Sequence, residues 1–178
     1  GVTAASESTS DVVFELEVPI LPSLVEYDVI VEWSDGNGFY RGESRQEMVV
    51  CGDVYVLNGQ SNTVALDYQN ESTADETANT FVRSWGSSVN SALVSSSSGF
   101  QVATAQTGYT TGAIGQWGLR MANVLKERHN IPILVFNGAV GGTRVEEHQR
   151  DDGLPENLDT IYGRLLWRLN QAGMAGHV

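Results

Sequence analysis

The sequence has 178 residues, of which 41% are hydrophobic and 18% charged, values typical of a globular domain with a core of its own. The formal net charge of -12 leaves little basic surface for phosphates and argues against nucleic acid or an anionic membrane as a partner. No run approaches the roughly 20 apolar residues of a membrane span. Cys51 is the only cysteine, which excludes an internal disulfide, and no metal-ligand spacing or cofactor motif is present.

The first fifty residues have the composition of a β-rich segment. Residues 1–10 are small and polar, which is typical of a linker or a frayed end. A Ser-Asp-Gly-Asn-Gly turn signal at 34–38 separates two apolar stretches. Strands are predicted at residues 13–18, 27–33 and 39–50. We expect residues 1–50 to be the end of an upstream β domain or a flap, and residues 51–178 to form the main domain.

Strands and helices alternate in the rest of the chain, which predicts an α/β fold with parallel strands. The polar stretch after Asn62 and the serines at 95–98 are expected to be surface loops. Apolar residues spaced three and four apart give the first helix one buried face, formed by Ile114, Trp117, Met121, Val124 and Leu125. In chain order we predict strands at 54–57 and 81–85, a helix at 112–129, a strand at 131–136, and a helix at 157–171 capped by Gly173.

Two of the predicted strands end in glycine-bearing turns, Gly59-Gln60-Ser61-Asn62 and the segment 137–143. In a parallel sheet both turns open at the carboxyl edge, where α/β proteins bind ligands. Ser61 offers a hydroxyl nucleophile, and a glycine of the second turn offers an unobstructed N–H for an oxyanion. Two other interpretations stay open: both segments are ordinary turns, or the second turn binds a phosphate. The sequence signatures of a P-loop and of a dinucleotide-binding site, however, are absent. The Gly-x-Ser-x-Gly elbow is absent too, since Thr63 replaces its second glycine.

The segment Gly52-Asp53-Val54-Tyr55-Val56-Leu57-Asn58-Gly59-Gln60-Ser61-Asn62 resembles block I of the sialate O-acetylesterase-like and acetylxylan-esterase-like branch of the SGNH (GDSL) hydrolases. In that branch Gly-Gln-Ser-Asn replaces Gly-Asp-Ser. Three further stretches resemble the same family: residues 81–86, 115–119 and 137–143. The resemblance implies a partial flavodoxin-like three-layer α/β/α SGNH hydrolase domain, preceded by the short β-rich segment. It also implies a secreted or periplasmic carbohydrate O-acetylesterase that works without a cofactor.

The resemblance implies a role for six residues of the two turns. Ser61 would be the nucleophile that attacks an acetylated carbohydrate and carries the acetyl group before water releases acetate. Its own N–H and that of Gly142 would form part of the oxyanion hole. Gly141 is the weaker choice, because the family's glycine directly precedes the polar residue that Thr143 represents here. Three polar residues are expected to line or brace the turns: Gln60, Asn62 and Thr143.

Two parts of the family pattern are absent from the sequence, the Gln-Gly-Glu-type third block and the late Asp-x-x-His. We therefore expect the chain to be the N-terminal portion of the enzyme, with the missing C-terminal segment of the same domain as its partner. Alone, it should be weak or inactive, since a serine without its base loses most of its advantage. His148 is the only histidine near the second turn, but no neighbour in sequence would orient it as a base. His129 is expected at a helix end, and His177 near the terminus.

Two other functions stay open. The first is a non-catalytic carbohydrate-binding or scaffold module that retains the esterase cleft, and the second is a nucleotide-binding α/β domain. The acidic residues after the second turn are expected to form a solvated loop: Glu146, Glu147, Asp151 and Asp152.

Overall fold

The computed structural model describes residues 16–35, 37–66, 74–87, 98–105 and 110–177. The chain divides into two compact units, residues 1–51 and 52–178. Three sequence predictions fall wholly or mostly outside the described residues: the linker at 1–10, the start of the strand at 13–18, and the serine run at 95–98.

The first unit contains an antiparallel hairpin of β1 (Tyr27–Ser34) and β2 (Tyr40–Val49), as the sequence predicted. Asp35 holds the turn between them, since its carboxylate accepts the N–H groups of Asn37 at 3.0 Å and Phe39 at 2.9 Å and pairs with Arg41. The bond from the Phe39 N–H is the main cause that lowers the pKa of Asp35. Residues 16–18, the described part of the strand predicted at 13–18, are not a strand.

The second unit is a mixed α/β fold around a four-stranded sheet of order β3-β6-β4-β5. Strand β6 is parallel to both β3 and β4, as predicted, whereas β5 runs antiparallel to β4. The apolar run of β6 is accordingly buried, with Val135 and Phe136 both at 0% exposure. The strands are β3 (Asp53–Leu57), β4 (Val82–Trp85), β5 (Phe100–Val102) and β6 (Ile133–Asn137).

The helices are α1 (Ser61–Val64), α2 (Gln116–His129) and α3 (Ile161–Gln171), with 3₁₀ helices at Ala74–Thr77 and Val145–His148. Helix α2 begins four residues later than predicted, because Gly112 and Gly115 have φ angles of +80° and +81°, outside the helical region. Helix α3 begins at 161, where the Thr160 hydroxyl accepts the Gly163 N–H at 3.0 Å. Gly173, with φ +71°, follows its end as predicted.

The buried face of α2 is rotated from the predicted one. Trp117 and Val124 are 41% and 49% exposed, whereas Leu119 and Ala122 are fully buried. The helix approaches the sheet closely at Gly118, where an added Cβ would lie 3.1 Å from a methyl group of Leu57. The small residues therefore decide which side of the helix faces the sheet.

Two apolar clusters form the core of the second unit. Alternate residues of β6 belong to different clusters, Ile133 to the one with α2 and Phe136 to the one with α3, so the two helices cover opposite faces of this strand. Trp85 and Trp167 meet edge to face in the second cluster at 6.0 Å. No helix among the described residues is long and apolar enough to cross a membrane.

Arg168 of α3 is buried in the second cluster with 1% exposure. Its guanidinium donates to the carbonyl of Trp85 at 2.7 Å and to that of Asn137 at 2.9 Å, and lies 5.6 Å from the centre of the Phe136 ring. Burial lowers the pKa of Arg168 to about 10. The side chain thus links the carboxyl ends of β4 and β6, next to the edge where the glycine-bearing turns leave the sheet.

Candidate active site

The two glycine-bearing turns lie side by side at the carboxyl edge of the sheet. Leu57 is paired in register with Asn137 at the ends of β3 and β6. The parallel ladder continues beyond both strands, since the Gly138 N–H donates to Leu57 at 2.8 Å and the Val140 N–H donates to Gly59 at 3.0 Å. These backbone bonds hold the serine turn beside the second turn.

Ser61 is the first residue of α1 and is half-buried. Gly59 permits the tight entry into this helix, because a Cβ at that position would collide with the Thr63 hydroxyl. Gln60 is the residue that caps the helix, with the Thr63 N–H bonded to its carbonyl at 2.8 Å. The sequence around Ser61 thus places one hydroxyl just beyond the carboxyl end of β3.

The Gln60 side chain engages both polar groups of Ser61. Its Oε1 accepts the Ser61 hydroxyl at 2.6 Å and the Ser61 N–H at 2.9 Å. The N–H assigned to an oxyanion hole from the sequence is therefore bonded to an amide oxygen in this structure. Gln60 is exposed, so its side chain has room to turn away.

Gly142 lies at the exposed tip of the second turn, with φ +78° and no atom within 4 Å of an added Cβ. Its N–H donates to no group of the described residues. The Thr143 hydroxyl donates to the Val140 carbonyl at 2.6 Å and closes the turn behind Gly142. The adjacent Gly141 is exposed too, but it already takes part in an interaction.

Asn137 joins three backbone segments around Ser61. It is 3% exposed, and its amide donates to the carbonyls of Thr63 and Ile114, each at 3.1 Å. Its side-chain oxygen accepts the Ala139 N–H at 2.9 Å. The sequence gives Asn137 no evident role in the second turn, and its one signal is that a polar residue ends a buried strand.

Trp117 of α2 fixes the other side of the serine turn. Its indole N–H donates to the Asn62 carbonyl at 2.8 Å, while the rest of the side chain is partly exposed. Helical periodicity assigned Trp117 to the core, so its contact with the serine turn was missed. The Asn62 side chain is exposed and makes no hydrogen bond with the described residues.

The structure does not bring His148 onto Ser61. Its Nδ1 lies 2.8 Å from Asn58 Oδ1, and its Nε2 lies 2.8 Å from Thr143 Oγ1. Among the described residues no carboxylate is hydrogen-bonded to or ion-paired with His148 or Ser61, and no group of three His, Cys, Asp or Glu could hold a metal ion. His129 and His177 are both exposed. Within the described residues Ser61 and Gly142 therefore lie on neighbouring turns, and no Ser-His-Asp relay is formed.

No protein-family model matches the sequence, and no curated protein matches it. A carbohydrate acetylesterase from Xanthomonas citri has a similar crystal structure, with TM-score 0.48 and 21% identity over 72% of this chain and 32% of that one. An X-ray structure of a protein from Arabidopsis thaliana has TM-score 0.46 and 19% identity over 70% of this chain and 52% of that one. The chain thus spans about a third and about half of these two proteins. Both structural similarities are too weak to assign the activity of either protein to this chain.

Proposed function

We propose that this chain carries the nucleophile and oxyanion side of an SGNH-type carbohydrate O-acetylesterase, with a flavodoxin-like three-layer domain. The observation that carries the proposal is the position of Ser61, which starts α1 beside a turn with an unengaged glycine N–H. Acyl transfer needs these two groups together at a ligand-binding edge. The resemblance of both turns to the family's blocks supports the same assignment.

The proposed reaction has two steps. The Ser61 oxygen attacks the acetyl carbonyl carbon while its proton passes to a base, which we assign to the C-terminal segment of the same enzyme. Negative charge gathers on the carbonyl oxygen, where Gly142 donates its N–H. The carbonyl then re-forms, the ester bond to the sugar oxygen breaks, and that oxygen takes the proton. Water attacks the acetyl-serine in the second step and releases acetate.

Gln60 has to leave Ser61 before substrate can use the same donors. An ester carbonyl bound at the Ser61 N–H would occupy the position that Gln60 Oε1 has now. Gln60 gives up two neutral hydrogen bonds to Ser61, which substrate and water replace, so the net cost of the exchange is small, about 1 kcal/mol. The high negative charge of the chain favours departure of the anionic product, acetate.

A non-catalytic carbohydrate-binding module is the second candidate. It is favoured by the engagement of both Ser61 donors with Gln60 and by the lack of a base at Ser61 within the described residues. Such a module would bind acetylated glycans without releasing acetate.

Acetate release by the full-length protein from acetylated xylan and from O-acetylated sialic acid tests the proposal. Ser61→Ala should lower the rate at least about 10³-fold, because the nucleophile is lost. Ser98→Ala, which removes an exposed loop hydroxyl, is the matched control and should retain full activity. Glycan binding without any acetate release would favour the binding module, and a Ser61→Ala protein with unchanged activity would overturn the role of Ser61.

A further inference from the structure

His148 spans the two turns of the candidate site. It belongs to the 3₁₀ helix Val145–His148, which follows the second turn, yet it also reaches Asn58, 90 positions earlier, at the end of β3. Both ring nitrogens lie 2.8 Å from a side-chain oxygen, Asn58 Oδ1 on one side and Thr143 Oγ1 on the other. The ring is therefore a bridge between the turn of Ser61 and the turn of Gly142.

The hydrogen-bond partners fix the proton on Nε2. The Thr143 hydroxyl gives its only proton to the Val140 carbonyl at 2.6 Å, so its oxygen can only accept from His148. Nε2 must then carry a hydrogen. As oriented, Asn58 Oδ1 also accepts, and a half-turn of this amide would let it donate to a neutral ring instead. A nitrogen that donates to Thr143 in both arrangements has no lone pair with which to take a proton from Ser61.

The short helix that carries His148 is itself well held. The Arg144 N–H donates to the Glu147 carboxylate at 2.8 Å, and the Glu147 N–H donates back to the Arg144 carbonyl at 3.1 Å. His148 is half-buried. The imidazole of His148 therefore extends from a capped 3₁₀ helix. The cap includes Glu147, which the sequence predicted to lie in a solvated loop.

The His148 bridge adds a second link between the turn of Gly142 and the serine turn. On one side of this glycine, the Val140 N–H is bonded to the Gly59 carbonyl. On the other side, Thr143 is bonded through His148 to Asn58, the residue before Gly59. The two flanks of the proposed oxyanion donor are therefore tied to two adjacent residues at the start of the serine turn, one to Gly59 and the other to Asn58.

We propose that His148 is a positioning residue of the esterase site, which holds the Gly142 N–H at a fixed place relative to Ser61. The inference rests on the proposed function, since it assigns Gly142 as the oxyanion donor. An oxyanion donor acts in the transition state more than in the bound substrate. Loss of the bridge should therefore lower kcat and leave KM almost unchanged.

Steady-state acetate release by full-length variants tests this role. His148→Phe keeps a planar ring without hydrogen bonds and should lower kcat by about 10- to 100-fold, less than the loss of a whole donor. His148→Gln can still donate to Thr143 and should recover part of the loss. Asn58→Ala should lower kcat too, and the double variant should be little worse than His148→Phe alone, because both remove one bridge. His129→Phe, at the exposed end of α2, is the control and should change nothing.

A rise in KM with unchanged kcat, or no change at all, would overturn the proposal. A loss as large as that of Ser61→Ala without rescue by Gln would make His148 the base instead.

Amide hydrogen exchange tests the bridge without any catalysis, at the Val140 N–H, which is bonded to Gly59, and at the Glu147 N–H, which is bonded to Arg144 in the helix of His148. In His148→Phe these amides should exchange at least about tenfold faster while core amides of β6 keep their protection. Unchanged exchange would overturn the bridge, whether or not the protein is an esterase. Faster exchange in a full-length protein that releases no acetate would support the bridge as a structural feature. The same result would refute the proposed function and, with it, the positioning role of His148 in catalysis. A variant that does not fold would lose protection in β6 as well, and His148→Gln would then serve for the same comparison.

Discussion

The side-chain oxygen of Gln60 accepts both the hydroxyl and the backbone N–H of Ser61, at 2.6 and 2.9 Å. One amide oxygen thus engages both the hydroxyl that would attack an ester and the backbone N–H that would bind its carbonyl oxygen. Since Gln60 is exposed and caps a helix of only four residues, the contact is local and can be exchanged for a ligand.

Replacement of Gln60 should change the reactivity of Ser61 in a predictable direction. In Gln60→Ala the competing oxygen is gone, and a fluorophosphonate should label Ser61 about five times faster, the equivalent of one net hydrogen bond. In Gln60→Glu a carboxylate accepts more strongly, so labelling should slow down. The second-order labelling rate of the full-length protein measures both. Slower labelling of Gln60→Ala would mean that Gln60 supports the nucleophile rather than competing for it.

Replacement of Asn137 should destabilise the second unit. Asn137→Asp puts an acceptor, or a buried charge, against the carbonyls of Thr63 and Ile114, to which the amide now donates. We expect a loss of about 3 kcal/mol or more in the free energy of unfolding, measured with urea. Asn62→Asp makes the same chemical change at an exposed site and should stay within about 0.5 kcal/mol of the parent. Equal stabilities of the two variants would contradict the bridging role of Asn137.

Replacement of Arg168 should loosen the carboxyl ends of β4 and β6. Arg168→Met removes the donors to the Trp85 and Asn137 carbonyls and leaves both in an apolar surrounding. The expected loss is about 2–4 kcal/mol, since an unsatisfied buried group costs about 1–3 kcal/mol and the buried cation is relieved of its own desolvation cost. Arg128→Met, at the exposed end of α2, is the control. A Met variant as stable as the parent would show that these two bonds contribute nothing net.

Most of the longer elements of the chain followed from its sequence, whereas the short strand β5 and the bonds that assemble the site did not. The strand at 133–137 and the helix at 161–171 carry local apolar periodicity, which one sequence displays directly. Asn137, Arg168 and His148 are polar residues whose partners lie far away in the chain. Sequence patterns assign such residues to the surface by default, and only the tertiary structure shows which carbonyl or side chain each one meets.

Trp117 illustrates the same limit and gives another prediction. Its spacing in α2 suggested a core residue, yet its indole binds the Asn62 carbonyl and part of its ring stays exposed beside the serine turn. Trp117→Phe retains an aromatic surface without the N–H, so the turn should lose one hydrogen bond and kcat should fall about two- to fivefold. Trp117→Ala also removes the aromatic surface and should raise KM for an acetylated glycan more than for a small acetate ester. Equal effects on the two substrates would argue against contact with the sugar.

Labelling of the full-length protein with a fluorophosphonate, followed by peptide mass spectrometry, tests the central claim most directly. Cleavage after Arg45 and Arg83 yields one peptide of residues 46–83 that contains Ser61. We predict a single phosphonyl adduct, located on Ser61 by fragmentation, and its loss when excess acetylated substrate competes. An adduct on any other residue, or no adduct in a protein that still releases acetate, would contradict the assignment of Ser61 as the nucleophile.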